Sequence, residues 1–509
     1  MTRKSLYDRL CDFISICGPG MIMMTNFLDP GNVSADYDIA SDSGTRNLFV
    51  PLFAGLFGLL IQLLTLRAAL IPKYYSEQEN EDEDSDDLFE RIGHLQGMSG
   101  GAMCHRILLF LLIEATLLAS GIQEVIGTSL ALNALIPQMP AFFAPYCNLL
   151  LTLIIVVSLH WKCHGYSYLS VLLLVLLMAG VLAISVISFP SASLRGIYEI
   201  NKGNFDNSSL RQILAMIGSL TMPQTVLYVT NVITTKQYPR FNRRERSTVF
   251  CYHSIEFAIA IAFGISLNIA MMINFSYLKD NRKIAMLNTE GLYQVNTDLR
   301  IQVHYSTRVI WGLGLLASGF SSTLSLTLLG QQINQLILRD KDDKKFRLKF
   351  KVRAIFNRII NALPLILAAF FLKDRYIHAT GVISQYCNII MTFGVPFVFV
   401  PILKINKPKN CDCCSKNCVY NACYYFLAVF ILSIFASYPI IQILPTGEDK
   451  NIDIDNAGFW IYILFFAVPY YCILIFLYFK EYNVDTNKKE LLDHKTKIFR
   501  GRWADSTHK

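Results

Sequence analysis

Apolar runs of about 20 residues recur along the chain, and each is long enough to cross a hydrocarbon core of about 30 Å. They fall near residues 13–35, 47–71, 106–136, 142–160, 167–189, 210–232, 248–277, 306–337, 352–372, 378–403, 421–443 and 457–480, which makes roughly twelve spans in 509 residues. Composition agrees. Only 17% of residues are charged and 53% are hydrophobic, against about 25% charged in soluble domains. The mean hydropathy is +0.39. An all-α polytopic membrane protein is expected. The first run is read as a span and not as a cleaved leader, because it carries Asp29 and has no clean cleavage pattern.

Loop charges set the expected orientation, since Lys and Arg favour the cytosolic side. With a cytosolic N-terminus, "MTRK", "KQYPRFNRRER", "RDKDDKKFRLKFKVR", "KINKPK" and "KKELLDHKTKIFRGR" all face the cytosol. The opposite loops, "DYDIASDSG" and "PTGEDKNIDID", are acidic. The net charge of +8 is thus a topology signal, and no nucleic-acid partner is needed to explain it. An even span count places the C-terminus in the cytosol as well. The expected division is a cytosolic tail at 1–12, a ten-span core at 13–405, a Cys-rich loop at 406–420, two spans at 421–480 and a cytosolic tail at 481–509.

That loop holds "CDCCSKNC" at 411–418. Disulfides are disfavoured in the cytosol, and the spacing fits no standard zinc pattern. Metal binding, lipidation and plain reduced thiols all stay open. Asn207, in "NSS" on a predicted outward loop, is a candidate glycosylation acceptor. No catalytic triad, phosphate loop or haem motif is present in the sequence, so an enzyme is not expected.

Polar groups inside a span are costly and therefore functional candidates. Two spans are interrupted in similar ways, the first by "LDPGN" and the sixth by "IGSLTMPQT" at 217–225. They stand about five spans apart. Paired broken helices in corresponding halves point to an inverted-repeat transporter with its site at the breaks. Pro30 and Gly31 make the first break cheap, and Pro223 marks the second. A break frees backbone carbonyls, and Asp29 and Asn32 flank it three residues apart. Met222 adds a thioether. Hard oxygens with one soft sulfur suit a transition divalent ion better than Ca²⁺ or Mg²⁺. Taken singly, Asp29 is a helix cap, Met222 is core filler and the prolines are ordinary kinks. The combination at one midplane is what points to an ion.

"GPGMIMMTNFLDPGN" resembles the first span of the natural resistance-associated macrophage protein (Nramp) family of metal-ion transporters. "EATLLASGIQEVIGTSLALN" at 114–133 is similar to the family's third span, "GLLASGFSSTLSLTLLGQQ" at 314–332 to its eighth, and "RIINALP" at 358–364 to its ninth. The resemblance runs from about residue 15 to about 405. It implies a LeuT-like inverted repeat of five plus five spans with helices 1 and 6 broken, followed by two further spans. It implies transport of Mn²⁺ or Fe²⁺, and of Cd²⁺, by alternating access. No cofactor is expected, because the metal is cargo. A monomer in a plasma, endosomal or vacuolar membrane is expected. The resemblance also implies metal ligation by Asp29, Asn32, the Ser219 carbonyl, Met222 and a tenth-span residue, Asn388.

The sequence departs from the family where protons travel. Gln224 replaces a histidine, Val229 stands where a second histidine is usual, and Gly121 replaces an aspartate. Glu114, Glu124 and Arg358 survive. Gln224 and Gly121 cannot titrate, so proton coupling is expected to be weak or rerouted. Phe320 replaces a glutamine. Alternatives are a magnesium transporter of a related branch, which Met222 argues against, and a non-transporting sensor, for which the tail of about thirty residues is short. An amino-acid or sodium symporter of this architecture would not need the Asp-Asn-Met set.

Overall fold

The computed structural model describes residues 13, 18, 20, 29–44, 46–70, 103–162, 216–218, 221, 225–226, 243–280, 305–338, 343–406 and 467–479. The described residues form nine helices of twelve residues or more: α1 (Pro30–Ser43), α2 (Phe49–Leu70), α3 (Met103–Leu135), α4 (Ala144–Lys162), α5 (Arg243–Asp280), α6 (Tyr305–Leu338), α7 (Asp343–Phe371), α8 (Tyr376–Asn406) and α9 (Val468–Phe479). The segments Phe49–Leu70, Leu111–Leu135, Ser247–Ser276 and Lys373–Val400 are long and apolar enough to cross a membrane. The expected fifth and eleventh spans lie outside the described residues.

Two boundaries differ from expectation. "DYDIASDSG", read as an outward loop, is helical as far as Ser43, and Gly44 caps the helix at φ 62° with its N–H donating to Ala40. Its acidic residues suggest a loop. Val33, Tyr37 and Ala40, however, repeat at four and three residues and are buried, which is a helical stripe. The basic stretch before the ninth span is likewise helical from Asp343. Lys, Arg and Leu are good helix formers, and no Gly or Pro interrupts them before Pro364.

Several helices carry an exposed apolar stripe repeating every four residues. These are Leu52, Leu56 and Leu60 on α2, Ile255, Ile259 and Phe263 on α5, and Ile359, Leu363 and Leu367 on α7. Each stripe is one helical face. Apolar faces of this extent suit hydrocarbon and not water.

Packing falls into two groups. In one, α5 lies along α2 and α1. Its C-terminal end carries an aromatic cluster in which Phe275 meets Tyr37 edge-on at 5.7 Å and Trp311 of α6 at 5.9 Å. In the other, α3 packs along α6, α8, α7 and α4. Within the first group, Glu256 of α5 holds the start of the first span. Its Oε1 accepts from the backbone N–H of Gly18 at 2.7 Å and of Gly20 at 2.8 Å, and Oε2 pairs with His253 Nδ1 at 2.9 Å.

Candidate metal site

The first break is a helix start. Asp29 has extended backbone (φ −63°, ψ 141°) and caps α1, with Oδ2 accepting from Gly31 N–H at 3.1 Å. Its carbonyl accepts from Asn32 and Val33 N–H at 3.0 and 3.1 Å. Pro30 takes the first helical position, where a missing N–H costs nothing. The cap thus takes Oδ2 and leaves Oδ1 for a different partner. Oδ1 is buried and accepts no hydrogen bond among the described residues. Ser322 of α6 faces the carboxylate without an aligned bond. Asn32 is fully buried, as is Asp36 one turn further on. The spacings of three and four place Asp29, Asn32 and Asp36 on one face of α1.

Close approach brings the second packing group onto this break. A Cβ at Gly127 of α3 would collide with the Pro30 ring, and one at Gly31 would collide with Gln123 Oε1 of α3. Gln123 is buried, and its Nε2 donates to Asn388 Oδ1 of α8 at 2.6 Å and to the Ser384 carbonyl at 3.3 Å. Asn388 thus stands one residue behind Gln123 relative to the break.

Ser219, Met222, Pro223 and Gln224 lie outside the described residues, as do Asn207 and the cysteines at 411–418. Flanking positions of the sixth span are described. Met216, Ile217, Gly218, Thr221, Thr225 and Val226 are buried. The Ile217 carbonyl accepts from both the N–H and Oγ1 of Thr221, at 3.0 and 2.7 Å. Gly218 abuts Thr392 of α8 so closely that a Cβ would not fit. The same helix, α8, therefore touches Gly218 of the sixth span and, through Gln123, approaches the start of α1.

A charged network lies next to the break. Glu124 Oε2 accepts from Arg358 of α7 and from Thr323 of α6, each at 3.1 Å. Glu124 is near enough to Asp29 for their charges to interact. Gly121 lies against the Asn361 amide, which fills the space where a Cβ would be. Glu114, half-buried on the same helix, stands ten residues earlier, about 15 Å along the axis. Phe320 is half-buried on α6.

Gln123, Asn361 and Asp36 were not singled out from the sequence. The signal for Gln123 was available, because a buried amide in a span is as much a candidate as the adjacent Glu124. Asp36 was hidden by reading its segment as a loop.

Residues 103–441 match the family model described as natural resistance-associated macrophage protein-like. Among curated relatives, the "natural resistance-associated macrophage protein 2 homolog" of Dictyostelium discoideum is 24% identical over 485 residues, covering 93% of this chain and 70% of that one. The human "natural resistance-associated macrophage protein 2" is 25% identical over 420 residues, covering 76% and 68%. "Metal transporter Nramp2" of Populus trichocarpa is 25% identical over 399 residues, with the same coverage. Among solved structures, the manganese transporter of Eremococcus coleocola aligns with a TM-score of 0.67 at 15% identity, covering 94% of this chain and 95% of that one.

Proposed function

The chain belongs to the Nramp family, and from that premise we propose that it carries divalent transition-metal ions, Mn²⁺ and Fe²⁺ with Cd²⁺, across a membrane by alternating access. The observation that carries this reading is Asp29. It is a buried carboxylate at a helix break that spends one oxygen on the cap and keeps the other without a donor among the described residues. Such a group is costly in hydrocarbon unless a cation joins it. The proposed ligands are Asp29, Asn32, the Ser219 carbonyl and Met222; Asn388, the fifth member that the resemblance implies, has its Oδ1 hydrogen-bonded to Gln123. The relatives' names, metal transporter and manganese transporter, support the same cargo.

Proton coupling is proposed to be weak or rerouted. Gly121 offers no acid, and Asn361 takes up its space. The acid that survives beside Asp29 is Glu124, which is paired with Arg358. The test is Mn²⁺ uptake into liposomes holding the purified protein, read with an internal metal dye and a separate internal pH dye. Uptake with little internal acidification is expected. Absence of uptake would overturn the transport reading. Acidification that tracks Mn²⁺ would overturn the coupling reading and point to Glu114, Glu124 and Arg358 as the route.

A further inference from the structure

We propose that the side-chain carbonyl of Gln123 is itself a ligand of the transported ion, and that Asn388 acts through it as a positioning residue. The inference rests on the transport reading above. Gln123 Oε1 is buried and has no hydrogen-bond donor among the described residues. It lies against Gly31, between the two proposed ligands of α1. Asp29 Oδ2 lies 3.0 Å from the point where a Gly31 Cβ would stand, and Gln123 Oε1 lies closer to that point. The Asp29 carboxylate and Gln123 Oε1 are therefore less than about 6 Å apart. Oδ2 is the capping oxygen, so one divalent ion at about 2.0–2.6 Å per oxygen would bridge Gln123 Oε1 to the neighbouring Oδ1, or share Oδ2 with the cap, after a side-chain adjustment.

The arrangement sets two acceptors facing one space. Two acceptors repel unless something positive joins them. Turning the Gln123 amide round would not solve this. Its nitrogen points at the Ser384 carbonyl, and a backbone carbonyl can only accept. The Asn388 Oδ1 contact at 2.6 Å holds the nitrogen on the same side. The amide is thus oriented from behind by α8, with its oxygen presented to the break, as an outer-shell partner orients a ligand. Gly31 has no side chain, which leaves the gap for Gln123 to enter.

Calorimetry of Mn²⁺ and Cd²⁺ on the purified full chain separates ligation from packing. Gln123→Met keeps length and flexibility but exchanges an oxygen for a sulfur. Mn²⁺ binding should weaken by about tenfold or more, while Cd²⁺ binding changes by less than about threefold, because the softer ion accepts a thioether. Equal loss for both ions, or no loss for either, would overturn the ligand role. Gln123→Glu is the second variant, and it decides the matter if the first does not fold by size exclusion and thermal melting. A charge facing the ion should tighten Mn²⁺; unchanged or weaker binding would overturn the proposal. Asn388→Ala should weaken both ions together without changing their ratio, and a shift in their ratio would make Asn388 the ligand instead. If the parent protein binds neither ion, the transport reading fails first.

Discussion

At the scale of single residues, Asp29 is the proposed ligand whose loss matters most. It supplies the one full charge among Asp29, Asn32, Ser219, Met222 and Gln123. Removing one partner of a buried charge pair costs about 3–5 kcal/mol. Asp29→Ala should therefore weaken Mn²⁺ binding by at least about a hundredfold, and Asn32→Ala should weaken it less, both read by calorimetry. Near-parental affinity in Asp29→Ala would remove the site from this break. Met222 should set selectivity more than affinity. A thioether contributes little to Ca²⁺ or Mg²⁺ and most to soft ions. Met222→Ala should keep part of Mn²⁺ transport, weaken Cd²⁺ most, and let Ca²⁺ or Mg²⁺ compete. A uniform loss for every ion would mean that Met222 only packs the kink at Pro223. Asp29 and Asn32 were legible in the sequence because each is a polar group where hydrocarbon should be, and Glu124 was legible only through the resemblance of the third span. The link between Gln123 and Asn388 was not, because the two residues are 265 positions apart and only the packing of α3 on α8 joins them.

At the scale of elements, glycine contacts fix how closely α3 and α1 approach. Gly127 meets the Pro30 ring, which cannot swing aside as a flexible side chain would. Gly127→Ala should cost about 1–3 kcal/mol from overpacking and lower metal uptake as Pro30 is displaced. Gly381 of α8 has nothing within 4 Å of an added Cβ. Gly381→Ala should therefore stabilise by up to about 1 kcal/mol through helix propensity alone. Thermal melting of the two variants should move in opposite directions, and a shift of the same sign in both would show that the contact at Pro30 is not limiting. Most long helices were legible from apolar length. The ends at Ser43 and Asp343 were not, because a charged stretch reads as a loop until its neighbours show that one face of it is buried or that nothing breaks its helical run.

At the scale of the whole molecule, two helix groups meet at the proposed ion site, and their exposed apolar stripes face away from it. The cysteine cluster at 411–418 falls outside the ten-span core expected from the sequence, so it is expected to be dispensable for transport. Replacing Cys411, Cys413, Cys414 and Cys418 with serine should leave Mn²⁺ uptake per surface molecule unchanged. Loss of uptake in a correctly placed variant would make the loop a regulator or a metal acceptor. The cap at Asp29 also bears on how fast such a carrier can cycle. The start of α1 carries a partial positive charge of about half a unit, and the Gly31 N–H already draws on the carboxylate. At the proposed site an arriving dication would meet a carboxylate that is partly neutralised by its own helix, so the well it enters would be shallower than a bare carboxylate would make it. Each 1.4 kcal/mol of lost depth shortens dwell time about tenfold. A carrier that must let go on every cycle would gain throughput from that shallowness, so the residue proposed to capture the ion would also limit how long the ion stays.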